Sequence, residues 1–170
     1  MTATRPLPMD PIAEARRQWE DHGWADAAPG MEAVTAVMRA QQIMLTRIEA
    51  ALRPFGISFS RYELLTLLSF TRTGMLPMSK LSARLQVHPT SVTNTVDRLE
   101  AAGLVRRRPD PADGRSRLVA ITDAGRDVAQ RATADLNGVF ADIGLPQKDL
   151  EVLAGILRRF RQQAGDFTES

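Results

Sequence analysis

Apolar positions along the chain recur mostly at three- and four-residue steps, the spacing of one face of an α-helix, so the pattern predicts a mainly helical protein. After a start containing Pro6 and Pro8, Asp10 followed by Pro11 makes a helix start, and PIAEARRQWEDHGW reads as a short helix. ADAAPG interrupts the chain. A long helix follows in which Val34, Val37, Gln41, Leu45, Ile48 and Leu52 share a stripe, and Pro54 and Gly56 end it. Ser60-Arg61-Tyr62-Glu63 has the spacing of a capping box, opening a helix buried through Leu64, Leu65, Leu67 and Leu68. Beyond Gly74, Ser79 is expected to cap a short helix with Leu81 and Leu85 facing inward.

Val87, His88 and Pro89 break the chain before a helix over residues 89 to 102, with Pro89 at its first position, where the missing N–H costs nothing. Val92, Val96 and Leu99 fall within about 60° on its inner side. The outer side carries Thr90, Asn94, Asp97 and Arg98, flanked by Ser91 and Thr93, which is shorter and more hydroxyl-rich than a merely solvated face. Gly103 supplies a left-handed stop. Leu104 to Arg108 and Arg117 to Ile121 read as two strands around the turn Pro109-Asp110-Pro111-Ala112-Asp113-Gly114, a two-stranded ribbon. Thr122 caps a helix carrying Val128, Ala132, Leu136, Val139 or Phe140, and Ile143. Pro146 opens a last helix whose Leu150, Leu153, Leu157 and Phe160 form a narrow seam suited to pairing with other helices.

Composition agrees with a folded globular chain: 170 residues, 44% apolar and 25% charged. No apolar run approaches the ~20 residues that span a bilayer, and the N-terminus lacks a secretory apolar stretch, so the expected location is the cytoplasm, with no membrane partner. The absence of cysteine removes disulfides, thiolate nucleophiles, thiol redox switches and cysteine-bound zinc. Two histidines, His22 and His88, lie far apart in sequence, which argues against a metal site or a triad. The net charge is only +2, but residues 80 to 117 hold eight basic side chains against four acidic ones, and both ends of the chain are acidic. That central excess is an electrostatic footprint for a phosphate backbone.

A short helix, a tight turn, a second helix with a small polar face and a basic hairpin together suit the reading of duplex DNA. The second helix fits the major groove, where every base pair displays a distinct donor and acceptor pattern. Candidate DNA-contacting residues are Ser79, Pro89, Thr90, Ser91, Thr93, Asn94, Arg98, Arg108, Arg115 and Arg117, with Arg115 at the ribbon tip facing phosphates or a narrow minor groove. Asp113 and Gly114 are expected to shape the wing turn and orient a neighbouring arginine. The strand alternation of Arg106, Arg107 and Arg108 lets only some of them face DNA.

These residues resemble the MarR-type regulators over roughly residues 31 to 165, most densely from Leu76 to Gly125. The most specific part is Asp113-Gly114-Arg115 running into Leu118-Val119-Ala120-Ile121-Thr122, which looks like the family's wing signature. The resemblance implies a mainly α fold, a winged helix-turn-helix with a two-stranded β wing and N- and C-terminal dimerisation helices. It divides the chain into an arm and extra helix (1–30) and a MarR-like domain (31–165). Within that domain the winged helix-turn-helix occupies about 57–122, and the dimerisation helices about 31–53 and 123–165. It also implies a homodimer on pseudo-palindromic operators, released by a small ligand, and the cysteine-free sequence departs from the family's oxidation-sensing branch. The extra helix resembles extensions in urate-responsive members, which makes Trp19 a candidate ligand-binding residue for a small aromatic or anionic ligand. A ligand-independent architectural DNA-binding or partner-binding module is the alternative. An enzyme is disfavoured, because no phosphate loop, metal cluster or acid–base pair stands at informative spacing, and no cofactor is expected.

Overall fold

A computed structural model describes residues 6–111 and 113–168, of which 113–116 are described as backbone only. Helix α1 (Pro11–Asp21) starts as the sequence predicts: the Asp10 carboxylate accepts from the Ile12 N–H at 2.9 Å, and Pro11 fills the first turn. The long α2 (Ala28–Leu52) begins within ADAAPG and not after it, since Pro29 sits in its first turn, where a missing N–H is tolerated. A 3₁₀ turn over Arg53–Phe55 ends in Gly56 at φ 66°, a backbone geometry in which glycine alone is unstrained.

Helix α3 (Phe59–Ser69) corrects the capping-box expectation. It starts one residue before Ser60, so Ser60 lies within the first turn, and Ser58 takes the cap position without a side-chain capping bond. The Glu49 carboxylate of α2 accepts from the Phe59 N–H at 2.9 Å, and so satisfies a free helix-start donor from a neighbouring element. Helix α4 (Met78–Leu85) corrects Ser79 in the same way: Pro77 is the capping position, and Ser79 is exposed in the first turn.

Helix α5 (Pro89–Ala101) has Pro89 first and His88 as its cap, the His88 Nδ1 accepting from the Thr90 N–H at 3.3 Å. Gly103, at φ 70°, turns the chain out of it, and the Leu104 N–H reaches back to the Leu99 carbonyl at 2.9 Å. Strands β2 (Val105–Asp110) and β3 (Asp113–Ile121) make the wing, and a third strand that the sequence reading omits, β1 (Met75–Pro77), pairs with the other side of β3. The antiparallel order is β1-β3-β2, with Leu76 opposite Val119 and Arg107 opposite Val119 on the other edge.

Thr122 caps α6 (Asp123–Ala141) as expected: its hydroxyl accepts from the Gly125 N–H at 3.0 Å and donates to the Gly103 carbonyl at 2.8 Å. Gly125 is pressed against the bend that leads into β2, and a Cβ there would stand 2.1 Å from the Leu104 carbonyl oxygen. Helix α7 (Gln147–Gln163) follows Pro146.

One core holds the lobe together: Leu64, Leu65 and Leu68 of α3, Leu81 of α4, Val92, Val96 and Leu99 of α5, Val105 and Val119 of the sheet, and Ala132 and Leu136 of α6. Burying such a side chain stabilises by about 1.5–3 kcal/mol, so this cluster fixes the lobe against its own α6. Helices α2 and α7 differ. Most of the apolar stripe of α2 and much of the α7 seam face outward, with Val34 at 61% and Phe160 at 67% exposure. No helix among the described residues is long and apolar enough to cross a membrane.

Candidate nucleic-acid interface

The inner face of α5 is locked in the core by Val92, Val96 and Leu99, all at most 1% exposed, so its opposite face is held outward as a rigid unit. On that face Thr90, Ser91, Thr93, Asn94 and Arg98 are exposed, as the sequence pattern predicts, and Pro89 stands at the helix tip. Two threonine hydroxyls turn inward on the helix itself: Thr93 donates to the Pro89 carbonyl at 3.1 Å and Thr95 to the Ser91 carbonyl at 2.8 Å. Ser91, Thr93 and Asn94 remain exposed beside one another, short side chains suited to apolar and hydrogen-bonding contacts with base edges.

The wing arginines divide by strand alternation. Arg106 and Arg108 are exposed on one side of β2. Arg107 turns to the other side and closes on α5, its guanidinium contacting Asp97 and Glu100 at 2.5 Å each, while its own backbone N–H donates to Glu100 at 2.7 Å. The Glu100 carboxyl is held below the usual carboxylate range, chiefly by that backbone hydrogen bond and further by the Arg107 side chain. Arg107 therefore braces the wing strand β2 to α5 and pairs with two of that helix's acids. Arg117 is exposed on β3. The side chains of Asp113, Gly114 and Arg115 lie outside the described residues.

A neighbouring group was missed in the sequence. The start of α3 lies beside α5, and Ser58, Ser60 and Arg61 line a cleft of about 250 Å³ together with Asn94, Thr95 and Arg98. Arg61 is positioned by donating to the Ser58 hydroxyl at 3.1 Å and to the Gly56 carbonyl at 3.2 Å. A second cleft of about 300 Å³, lined by Glu49, Arg53, Gly56, Ile57, Ser58 and Arg61, adjoins it and shares Ser58 and Arg61. The signal was present in the Ser-Arg-Tyr-Glu quartet, but periodicity reports a helix start and not which other helix that start meets.

Trp19 is half-buried and packs edge-on against Trp24 with ring centroids 5.2 Å apart, and His22 stacks on Trp24 at 5.6 Å. Arg16 ties this hairpin together by contacting Glu20 of its own helix and Glu32 of α2. Among the described residues no group of three or more His, Cys, Asp or Glu side chains is arranged to hold a metal ion.

The sequence profile of the MarR family matches residues 57–116. Among solved structures, the chain is similar to Sco5413, a MarR family transcriptional regulator from Streptomyces coelicolor, at 49% identity and a TM-score of 0.76, covering 83% of this chain and 99% of that one. It is 33% identical over 96 residues to the HTH-type transcriptional regulator PrsX of Escherichia coli, a match covering 56% of this chain and only 58% of that protein. It is 29% identical over 130 residues to the HTH-type transcriptional repressor Rv2887 of Mycobacterium tuberculosis, covering 74% of this chain and 90% of that protein.

Proposed function

Because the chain belongs to the MarR family of winged helix-turn-helix transcriptional regulators, we propose that it is a homodimeric, ligand-responsive repressor that reads pseudo-palindromic duplex DNA in the cytoplasm. The observation that carries the reading is the outward polar face of α5, fixed from behind by Val92, Val96 and Leu99 and braced to a basic wing through Arg107. In this assignment Ser91, Thr93 and Asn94 meet base edges, Thr90, Pro89 and Arg98 lie at the groove margin, and Ser79, Arg108, Arg115 and Arg117 contact phosphates. Asp113 and Gly114 shape the wing turn that presents Arg115. The repressor sense agrees with the name of the Mycobacterium tuberculosis relative.

Dimerisation follows from the outward apolar faces of α2 and α7, where Val34, Val37, Met38, Val152, Ile156 and Phe160 are all at least 48% exposed. For the ligand, the cleft between α2 and α3 is lined by Arg53, Arg61 and Ile57, with the one carboxylate, Glu49, engaged by the Phe59 N–H, a composition suited to a small aromatic anion. Since Arg61 also lines the cleft beside Asn94 and Arg98, an anion that pulls on Arg61 acts on the recognition helix directly. Such a ligand weakens DNA binding only by favouring one arrangement over the other. Trp19 is assigned a supporting ligand role at the far end of α2.

Selection of bound sites from random duplex DNA at fixed salt is the deciding experiment. A palindrome with half-sites about one helical turn apart is expected, and recovery of no motif overturns the sequence-reading assignment in favour of an architectural module. Arg108→Ala and Arg117→Ala should weaken binding to every duplex and lower the salt slope by about one each. Asn94→Ala should instead change which sequences are selected.

A further inference from the structure

Gln86, between α4 and α5, has φ 54° and ψ 39°, and it alone among the described non-glycine residues has a positive φ. Glycine is at ease there, whereas a side chain with a Cβ is held there at a cost, so a second interaction must favour glutamine. The structure supplies one. The Gln86 side-chain amide donates to the Asp166 carboxylate at 2.8 Å, 80 residues along the chain, and its oxygen accepts from Arg161 at 3.4 Å. Arg161 closes the triangle by donating to the other Asp166 oxygen at 2.6 Å, and its guanidinium lies over the Phe167 ring, 5.4 Å from the centroid. The turn itself is stitched by the Ser82 hydroxyl, which donates to the Val87 carbonyl at 2.7 Å.

The location gives this clasp its meaning. Helix α7 has no fully buried residue within its own protomer, and Leu153 and Phe160 of its apolar seam are exposed. The turn that it reaches is the one from which α5 departs. We propose that Gln86, Arg161 and Asp166 are positioning residues that tie the end of α7 to the helix-turn-helix turn and so set the orientation of α5 relative to the helices that join two copies. The inference rests on the DNA-reading assignment above, but its structural half stands apart from it. Exposed ion pairs contribute little stability by themselves. This triangle instead joins side chains 75 to 80 residues apart in the chain, so its effect appears as loss of angular freedom.

Two variants of the full chain separate the clasp from general folding: Asp166→Ala removes the hub, and Gln86→Gly removes the side chain while suiting the backbone at that φ. Hydrogen exchange of the free protein should show amides over residues 86–95 opening roughly tenfold faster in both, with the α3 and α6 core unchanged. Binding is then measured on two duplexes, the palindrome recovered from random-sequence selection and the same palindrome with one base pair inserted between its half-sites. The unaltered chain should reject the insertion by more than about tenfold and the variants by less than about threefold, since half-site spacing reads the relative placement of two recognition helices. Unchanged exchange in both variants overturns the clasp. Faster exchange with undiminished rejection of the insertion overturns its positioning role. If the unaltered chain recovers no palindrome, the regulator assignment falls, and the exchange result alone decides whether the tie exists.

Discussion

Thr66 of α3 has a buried hydroxyl with no hydrogen-bond partner among the described residues. A buried, unsatisfied polar atom carries its desolvation cost without return, so Thr66→Val, which keeps the shape and removes the oxygen, should raise the unfolding free energy by about 1 kcal/mol in urea titration. Glu100 is the opposite case, a carboxylate accepting both from the backbone and from the Arg107 side chain. Because its folded pKa lies below the unfolded value of about 4.3, its contribution is complete above that value and is lost as pH falls through the depressed folded value. Glu100→Gln should therefore cost, after solvent screening of this partly exposed pair, at most about 1 kcal/mol at neutral pH, and the cost should shrink to nothing in acid. A cost independent of pH would show that packing, and not the charge, joins wing to helix.

At the scale of elements, the close approach of α6 to the sheet depends on the smallest side chain. Gly125→Ala brings a Cβ against the Leu104 carbonyl, part of a fixed backbone, and should destabilise by roughly 1–3 kcal/mol in thermal or urea unfolding. The helices, their order and the wing were legible because each follows from periodicity and local stop signals: Pro89, Gly103, Thr122 and Pro146 all stand where the sequence puts them. What was not legible depends on other elements. The free N–H at the start of α3 finds its acceptor on Glu49 of α2, which no local pattern announces. Three residues at Met75–Pro77 are too few to show a strand period, and they become β1 only because β3 offers them an edge. Likewise Arg106, Arg107 and Arg108 look alike in sequence, and the ion pairs of Arg107 with Asp97 and Glu100 are what separate their roles.

At the scale of the whole molecule, the outward faces of α2 and α7 make a second copy the natural cover, and a charge placed there should prevent it. Val37→Asp with Ile156→Asp is expected to weaken self-association by about a hundredfold or more in sedimentation velocity, because buried unpaired charges at an interface core are strongly disfavoured. The lobe should remain folded, since neither side chain belongs to its core. Helix α6 belongs to both worlds: its first turn is wedged on Leu104 and its remainder packs on α2 and α3. Because Ala132 and Leu136 hold α6 in the lobe's core, helix and lobe turn together; from Gly125 to Ala141, at 1.5 Å per residue, the helix makes an arm of about 24 Å, so a rotation of roughly 10° displaces one end against the other by about 4 Å. A displacement of that size exceeds the 3.4 Å rise of one base pair, so under the proposed dimeric reading a small rotation at the joining helices is enough to put two lobes out of step with their half-sites.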